Sequence, residues 1–386
     1  MSSPVPKTVL VLFGTRPEVI KLAPVIRELR ARPEEFACRV VSTGQHREMV
    51  EQALAAFRLK VDVQLDAMSA ASSLGKLTAR LFLDLDDLLE RERPDWLLVQ
   101  GDTTSAMVGA MCAFYRQIKV GHVEAGLRTY NRWSPFPEEI NRTIIGHVGD
   151  LHFAPTERSA NNLRQAGVPA ATVHITGNTV VDALLWISAE VRDEAPPGLA
   201  PELVEALAGR RLVLVTSHRR ESFGRGLEII CEALLETVRR YPDVVIVYPV
   251  HLNPNVREPV RRLLSAEPRI HLLEPLGYLP LVYLMQRSYC IFTDSGGIQE
   301  EAPSLGKPVL IMRDTTERPE VVEAGCARLV GTVAQNILQA AAELLDNRAT
   351  YEAMARVKNP FGDGLASRRI ADLLSAGSNH LLRPGQ

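Results

Sequence analysis

Short apolar runs alternate with amphipathic stretches along this chain of 386 residues, and this alternation constrains its fold more than any other feature. The apolar runs have the length and composition of buried strands, and the stretches between them have the apolar spacing of helices. In the first half of the chain we predict strands at Lys7–Phe13, Cys38–Ser42, Trp96–Gln100 and Lys119–Val123, and helices at Glu18–Arg30, Ser73–Arg91 and Thr104–Tyr115. Strands that alternate with helices in this way favour βαβ units and a parallel sheet.

A Pro-rich stretch at Asp193–Pro201 interrupts the alternation, which then starts again. In the second half the predicted strands are Arg211–Ser217, Val244–Pro249, Cys290–Thr293 and Pro308–Met312. We therefore predict an α/β protein with two doubly wound, Rossmann-like domains, a division that suits a chain of this length. The predicted domains comprise residues 1–190 and 202–362, and the periodicity does not assign the last predicted helix, Ala366–Leu374, to either of them.

Composition and charge exclude several classes of function. The formal net charge is −2, whereas proteins dedicated to nucleic acids or membrane surfaces are usually basic. No apolar run reaches the ~18 residues of a transmembrane helix, and the run Val9–Phe13 is too short for a signal sequence. The five cysteines are widely spaced and form no Cys-x-x-Cys pair, so we expect free thiols, no metal site and a cytoplasmic protein.

The segment after the first strand, Gly14-Thr15-Arg16-Pro17-Glu18, is a candidate anion site. It begins a helix, whose first N–H groups attract anions, and Arg16 and Lys21 add positive charge. The chain has only seven lysines, against 37 arginines, so Lys21 is less easily explained as a surface residue without a specific role. The alternative is a routine strand-to-helix turn with surface charges. The segment is neither a phosphate-binding P-loop nor a Gly-x-Gly-x-x-Gly turn, so a nicotinamide cofactor is not indicated.

Three carboxylates follow consecutive predicted elements of the first domain. Asp102 follows the strand Trp96–Gln100, Glu124 follows Lys119–Val123, and Glu138 lies at the start of the next helix. Taken singly, Asp102 would suit a helix cap and Glu138 would complement a helix dipole. Together they are expected to meet at one edge of the sheet, where neighbouring carboxylates push their pKa values apart and so provide both an acid and a base.

Polar residues also follow three predicted strands of the second domain. His218 and Arg219 follow the first of these strands, where an imidazole and a guanidinium suit a phosphate ester, and His251 occupies the corresponding position one strand later. The most specific local signal is Ser295-Gly296-Gly297, whose backbone N–H groups can hold a diphosphate. Glu301 lies about one helical turn further, within reach of a ribose diol. The alternatives are a solvated charge cluster and an ordinary glycine turn.

Taken together, these motifs resemble the non-hydrolysing UDP-N-acetylglucosamine 2-epimerases of bacteria. The resemblance extends over nearly the whole chain and rests on seven motifs in order, which are Gly14-Thr15-Arg16-Pro17-Glu18, Gln100-Gly101-Asp102-Thr103, His122-Val123-Glu124-Ala125-Gly126-Leu127-Arg128, Pro137-Glu138-Glu139, His218-Arg219-Arg220-Glu221, Asp294-Ser295-Gly296-Gly297 and Thr316-Glu317-Arg318-Pro319-Glu320. It implies the glycosyltransferase-B-type fold, with the active site in the cleft between two Rossmann-like domains. It also implies a C-terminal helix, residues 365–386, that packs back on the first domain, and a homodimer without a cofactor or a metal.

The implied reaction inverts carbon 2 of the sugar in UDP-N-acetylglucosamine (UDP-GlcNAc) and gives UDP-N-acetylmannosamine (UDP-ManNAc) for cell-envelope polysaccharides. A base removes the proton at carbon 2 while UDP leaves carbon 1, and 2-acetamidoglucal and UDP then recombine. Two faces of the sugar need two acid/base groups. The resemblance offers Asp102, Glu124 and Glu138 for this purpose and does not decide which group does which.

The other implied roles concern the nucleotide. His218 assists the departing diphosphate. The implied substrate-binding residues are Arg16, Lys21, Ser295, Gly296, Gly297, Glu301 and Arg318. A second, regulatory UDP-GlcNAc site would use Gln45, Arg219 and His251, while Glu48 and Ala71 depart from the regulatory pattern of the family.

Three rival functions share parts of this interpretation. A hydrolysing 2-epimerase, which releases UDP and free N-acetylmannosamine, would have the same fold and much of the same site. A glycosyltransferase of the same fold would require an acceptor. A nucleotide-sugar sensor would bind UDP-GlcNAc without catalysis.

Overall fold

The computed structural model describes residues 5–44, 47–67, 73–192 and 194–376. Within these ranges the strands in chain order are β1 (Lys7–Phe13), β2 (Phe36–Ser42), β3 (Val63–Gln64), β4 (Trp96–Gln100), β5 (Lys119–Val123), β6 (Leu151–Ala154), β7 (Val173–Ile175), β8 (Arg211–Thr216), β9 (Val244–Pro249), β10 (Ile270–Leu273), β11 (Ser288–Thr293), β12 (Val309–Ile311) and β13 (Ala327–Leu329). The α-helices are α1 (Arg16–Arg30), α2 (Arg47–Ala56), α3 (Leu74–Glu92), α4 (Thr104–Tyr115), α5 (Glu138–Val148), α6 (Glu157–Gln165), α7 (Thr179–Glu190), α8 (Pro201–Leu207), α9 (Arg225–Arg240), α10 (Pro254–Leu264), α11 (Tyr278–Arg287), α12 (Gly296–Glu301), α13 (Pro319–Ala324), α14 (Ala334–Asp346), α15 (Arg348–Ala355) and α16 (Ala366–Ala376).

These elements form two compact units. The first comprises Met1–Ala183 and Phe361–Gln386, and the second comprises Leu184–Pro360. The division therefore falls within α7, before the Pro-rich stretch, and again after α15.

The first unit contains a seven-stranded sheet in the order β3-β2-β1-β4-β5-β6-β7, and all of its pairings are parallel. β1 pairs with β2 along its whole length, from Lys7↔Phe36 to Phe13↔Ser42, and with β4 on its other side. All five residues of β4 are buried, as expected for a parallel strand that is covered by helices on both faces. The strand order reverses between β1 and β4, and ligands of such sheets bind at the carboxyl ends of strands beside this switch point.

The second unit repeats this architecture with a six-stranded parallel sheet in the order β10-β9-β8-β11-β12-β13. Apolar residues of α9, α10 and α14 pack with the sheet around Tyr248 and Phe292 to form its core. β8 and β11 are neighbours, with Thr216 opposite Thr293 at their carboxyl ends. The switch point of this sheet lies between these two strands.

Helix α16 lies in the first unit and packs against α1. On α7, the carboxylate of Asp182 accepts the N–H group of Ser367 at 2.8 Å, in the first turn of α16. Arg32, just after α1, pairs with Asp372 at 2.6 Å. Contacts between residues that are distant in the sequence therefore hold α16 on this unit.

The predicted fold class, two Rossmann-like, doubly wound α/β domains, is confirmed. Each predicted strand agrees with an observed strand to within two residues at each end. The structure adds β3, β6, β7, β10 and β13, which have two to four residues each and are too short to show a period. Among the helices of the described ranges, none is both long enough and apolar enough to span a lipid bilayer.

Candidate active site

The candidate residues of the first unit lie around the switch point of its sheet. Arg16 and Lys21 lie in the first two turns of α1 after β1, Asp102 follows β4, and Glu124 follows β5. Glu138 is the first residue of α5. Because parallel strands point the same way, their carboxyl ends bring these side chains to one edge of the sheet.

Glu124 is a buried carboxylate, 7% exposed, that three polar side chains hold. The ammonium of Lys21 lies 2.5 Å from its Oε1, Asn178 donates to the same oxygen at 3.2 Å, and Gln100 donates to Oε2. The φ of Glu124 is +60°, in the left-handed region, which costs a residue with a Cβ about 1–3 kcal/mol. The ion pair and the hydrogen bonds therefore fix this carboxylate in a strained backbone position at the sheet edge.

The turn after β1 is shaped by a second buried carboxylate, that of Glu18. Its Oε2 accepts the N–H groups of Gly14 at 3.1 Å and Thr15 at 2.8 Å, and its Oε1 accepts the hydroxyl of Thr103 at 2.8 Å. Burial raises the pKa of Glu18, and these hydrogen bonds oppose the shift. Thr103 directly follows Asp102, so Glu18 ties the turn after β1 to the turn after β4.

Asp102 lies in a turn that three neighbouring side chains hold. Arg142 donates to its Oδ2 at 2.5 Å, and the side-chain amide of Asn141 donates to its carbonyl at 2.9 Å. Nε2 of His122 donates to the carbonyl of Gly101 at 2.7 Å. Burial lowers the pKa of His122 to about 3, so this ring is neutral at neutral pH. The carboxylate of Asp102, 25% exposed, therefore faces a guanidinium in a fixed geometry.

Glu138 has different surroundings from the other two candidate carboxylates. Its Oε2 is buried and accepts no hydrogen bond from the residues that the structure describes. The next residue, Glu139, holds the preceding loop by accepting the N–H groups of Thr129 at 3.0 Å and Tyr130 at 2.9 Å. The three candidate carboxylates thus lie in three electrostatic environments, an arrangement that lets one site hold an acid and a base.

In the second unit, His218 follows β8 and lies beside the buried carboxylate of Asp294, which follows β11. Oδ2 of Asp294 accepts the N–H groups of His218 at 2.7 Å and Arg219 at 2.8 Å, and the hydroxyl of Ser217 at 2.9 Å. The imidazole of His218 is 40% exposed and stacks on that of His251, with 5.6 Å between ring centroids. Partial burial lowers the pKa of His218, and the negative charge of Asp294 opposes this shift. The ring therefore projects from a turn that Asp294 fixes.

The Ser295-Gly296-Gly297 turn opens α12 after β11, with two guanidinium groups beside it. A Cβ added at Gly296 would lie 3.9 Å from side-chain atoms of both Arg219 and Arg318. Glu301, at the end of α12, accepts the hydroxyl of Tyr278 at 2.6 Å. Two cations beside a turn that contains two glycines suit the approach of a diphosphate.

Comparison with known proteins identifies the family. The family model described as UDP-N-acetylglucosamine 2-epimerase matches residues 27–375. The chain belongs to the UDP-N-acetylglucosamine 2-epimerase family. It is 50% identical over 368 residues to the UDP-N-acetylglucosamine 2-epimerase of Escherichia coli strain K12, an alignment that covers 95% of this chain and 98% of the relative.

Solved structures of UDP-N-acetylglucosamine 2-epimerases have the same fold. The Neisseria meningitidis enzyme, crystallised with UDP-GlcNAc, matches with a TM-score of 0.85 and 46% identity over 95% of this chain and 99% of that one. The Methanocaldococcus jannaschii enzyme, in complex with UDP-GlcNAc and UDP, matches with a TM-score of 0.78 and 32% identity over 96% and 100% of the two chains. These matches confirm the predicted glycosyltransferase-B-type fold class.

The site residues predicted from the sequence are divided between the two units. The first unit holds Arg16, Lys21, Asp102, Glu124 and Glu138. The second holds His218, Arg219, His251, Ser295, Gly296, Gly297, Glu301 and Arg318. Gln45 and Ala71 lie outside the described residues. The roles of all of these residues toward a substrate stay predictions. In the described ranges, no group of three or more His, Cys, Asp and Glu side chains is arranged to hold a metal ion.

Several side chains that contact the candidate residues are not among the site residues that the sequence analysis proposes, although two of those named next lie within its quoted motifs. Among them are Gln100, Arg142, Asn178 and Asp294. Arg142 carries a signal, because it lies one helical turn after Glu138 on α5. Asn178 follows β7, a strand of three residues that shows no period, so nothing in the sequence marks it.

Proposed function

We propose that this chain interconverts UDP-GlcNAc and UDP-ManNAc by inverting carbon 2 of the sugar, without net hydrolysis. Family membership supports this substrate class, and the Neisseria meningitidis relative has been solved with UDP-GlcNAc bound. The observation that carries the proposal is the carboxylate pair at the first switch point. Glu124 is held by Lys21, and a Cβ at Gly101 would lie 3.8 Å from Oε2 of Glu124, which places the Asp102 turn beside this carboxylate.

An elimination explains how carbon 2 can be inverted when no carbonyl acidifies its C–H bond. A carboxylate takes the proton from carbon 2, a double bond forms between carbons 1 and 2, and the bond from carbon 1 to the diphosphate oxygen breaks. The products of this half-reaction are 2-acetamidoglucal and UDP. A carboxylic acid then returns a proton to the opposite face of carbon 2 while the diphosphate oxygen adds again to carbon 1. Atoms and electrons balance without a cofactor.

Two faces of the sugar require two acid/base groups, which exchange roles when the reaction runs backwards. We propose Asp102 and Glu124 for these roles. Each carboxylate lies beside a cation, Asp102 beside Arg142 and Glu124 beside Lys21, which holds it in a fixed position at the sheet edge. Glu138 provides a third carboxyl group, with a buried oxygen that accepts no hydrogen bond from the described residues.

The second unit supplies groups for the nucleotide. We propose that His218 gives a proton to the departing diphosphate and that Arg318 and the Ser295-Gly296-Gly297 turn stabilise the charge that develops on it, the contribution that is usually largest in such reactions. Glu301 accepts a hydrogen bond from the ribose. In the first unit, Arg16 and Lys21 add positive charge near the reacting carbons.

Four further properties complete the proposal. The chain acts in the cytoplasm, supplies N-acetylmannosamine units for cell-envelope polysaccharides, and forms a homodimer. Arg219 and His251, which lie beside His218, together with Gln45 take part in binding a second UDP-GlcNAc that regulates activity. Light scattering after size-exclusion chromatography checks the homodimer, because each chain has a mass of 42.6 kDa.

Nuclear magnetic resonance of UDP-GlcNAc incubated with the protein in heavy water tests the reaction. We expect UDP-ManNAc to appear and deuterium to enter carbon 2 of both nucleotide sugars, with only trace free UDP. Stoichiometric free UDP and N-acetylmannosamine would show a hydrolysing enzyme instead. Tight binding of UDP-GlcNAc without deuterium uptake would show a sensor, and a strict requirement for an acceptor would show a glycosyltransferase.

A further inference from the structure

Asp294 is fully buried, and the turn that it fixes uses only one of its two carboxylate oxygens. Oδ2 accepts all three hydrogen bonds from Ser217, His218 and Arg219. Oδ1 is also buried and accepts no hydrogen bond from any residue in the described ranges. Nδ1 of His218 lies 3.4 Å from this oxygen, within ion-pair distance.

The backbone fixes this geometry. β8 and β11 pair in register, with Thr216 opposite Thr293, and the N–H group of Asp294 donates to the carbonyl of Thr216 at 3.1 Å. Asp294, which follows β11, is therefore held in a fixed position relative to the residues that follow β8. An uncharged acceptor would be enough to hold the turn, and burying a charged oxygen without a hydrogen bond is costly. Holding the turn therefore does not by itself explain why this residue is a carboxylate.

We propose that Asp294 is a positioning residue for His218, which keeps a proton on Nδ1 and leaves Nε2 to exchange a proton with the diphosphate of the substrate. This inference rests on the role proposed above for His218 in the departure of UDP. An anion beside one ring nitrogen stabilises the tautomer that carries its proton there, and it also stabilises the imidazolium. Both effects prepare Nε2 as the donor that a departing diphosphate requires.

The other groups around His218 act in the opposite direction. Burial, the guanidinium of Arg219 and the ring of His251 each disfavour the imidazolium, and Asp294 is the group that favours it. Without the charge of Asp294, the remaining influences all favour a neutral ring.

The position of the proton can be measured directly in the unmodified protein. With ¹⁵N-labelled histidine, long-range ¹H–¹⁵N spectra distinguish Nδ1–H from Nε2–H, and the resonance of His218 is the one missing in His218→Gln. We expect the neutral ring of His218 to carry its proton on Nδ1. A proton on Nε2 in the unmodified protein would overturn the inference without any variant of Asp294.

Asp294→Asn then tests the cause. The amide oxygen replaces Oδ2, because three donors point at it, and the amide N–H₂ therefore faces Nδ1 of His218. We expect the proton to move to Nε2 and the ring to titrate at lower pH. An unchanged tautomer and titration would overturn the inference. The matched control is Ser217→Ala, which removes one hydrogen bond from the same carboxylate and leaves Oδ1 facing the ring.

Kinetics connects this geometry to the reaction. We expect Asp294→Asn to lower kcat with little change in KM for UDP-GlcNAc, by no more than the ~10²–10⁴-fold that a general acid contributes. We also expect kcat of Asp294→Asn to begin its alkaline decline at a lower pH than kcat of the unmodified protein. The pH profile of Ser217→Ala should keep its shape. Equal changes in both variants, or a normal kcat with a reversed tautomer, would overturn the positioning role. Full activity of His218→Gln would instead contradict the proposed role of His218, and the tautomer measurement would still test Asp294.

Discussion

Asp102 and Glu124 are the single residues on which the proposed reaction depends most. Asp102→Asn and Glu124→Gln keep the size of each side chain but remove its proton transfer, so we expect turnover to fall ~10²–10⁴-fold in each. Deuterium exchange at carbon 2 in heavy water measures the loss. Asp84→Asn, which affects an ion pair with Arg80 on α3, is the control. Near-normal turnover in both active-site variants would contradict the assignment.

Lys21 provides a second prediction at this scale. Lys21→Met removes the ammonium that lies 2.5 Å from Glu124, and a buried carboxylate without that cation takes up a proton more readily. We therefore expect the acid limb of the pH–rate profile to move to higher pH. Lys119→Met, at the opposite end of β5, controls for the loss of a half-buried lysine. An acid limb that stays in place in Lys21→Met would show that Glu124 does not depend on this ion pair.

Sequence reasoning finds Asp102 and Glu124 because each follows a predicted strand, and the carboxyl ends of parallel strands are where sites form. It does not find the contact of Lys21 with Glu124, which joins residues 103 positions apart. That contact depends on the order β1-β4-β5 and on a left-handed backbone at Glu124, neither of which has a signal in the local sequence.

At the scale of elements, the attachment of α16 gives a third prediction. Asp182→Ala removes the carboxylate that accepts the N–H group of Ser367, and the loss of such a cap costs about 0.5–2 kcal/mol. We expect faster hydrogen exchange across α16 and a lower free energy of unfolding. Asp372→Ala is the control, because its ion pair with Arg32 is partly exposed and such pairs contribute about 0–1 kcal/mol. Equal exchange rates in the two variants would count against the cap.

The length and apolar content of each strand explain which elements the sequence predicts. β4 and β9 are apolar runs buried on both faces, and their predicted and observed bounds are identical. β6 and β7 are shorter, and each has a histidine in the middle of its strand, so neither reads as an apolar run. The docking of α16 has no local signal either, because the apolar spacing of this helix shows that it buries one face and does not show which distant residues that face packs against.

At the scale of the whole molecule, two buried histidines link stability to pH. His122 and His152 are opposite each other on β5 and β6, with their ring centroids 6.3 Å apart. Burial lowers the pKa of His122 to about 3 and that of His152 to about 4, from the ordinary value of 6.5. Below pH 6.5 the unfolded chain therefore binds protons that the folded chain does not, and acidification favours unfolding. Above pH 6.5 both states hold neutral rings, and the two histidines contribute no pH dependence.

His152→Leu tests this linkage with a side chain of similar size. On acidification from pH 6.5 down to its folded-state pKa, each buried neutral histidine lowers the unfolding free energy by up to about 1.4 kcal/mol per pH unit. Between pH 6 and pH 4.5, the unfolding free energy of the unmodified protein should therefore fall relative to that of His152→Leu by up to about that amount per pH unit. Denaturant titration followed by tryptophan fluorescence, to which Trp96 in the same sheet contributes, measures it. His147→Leu, at an exposed position on α5, controls for the substitution itself. A difference that stays constant with pH would mean that His152 is not held neutral by its burial.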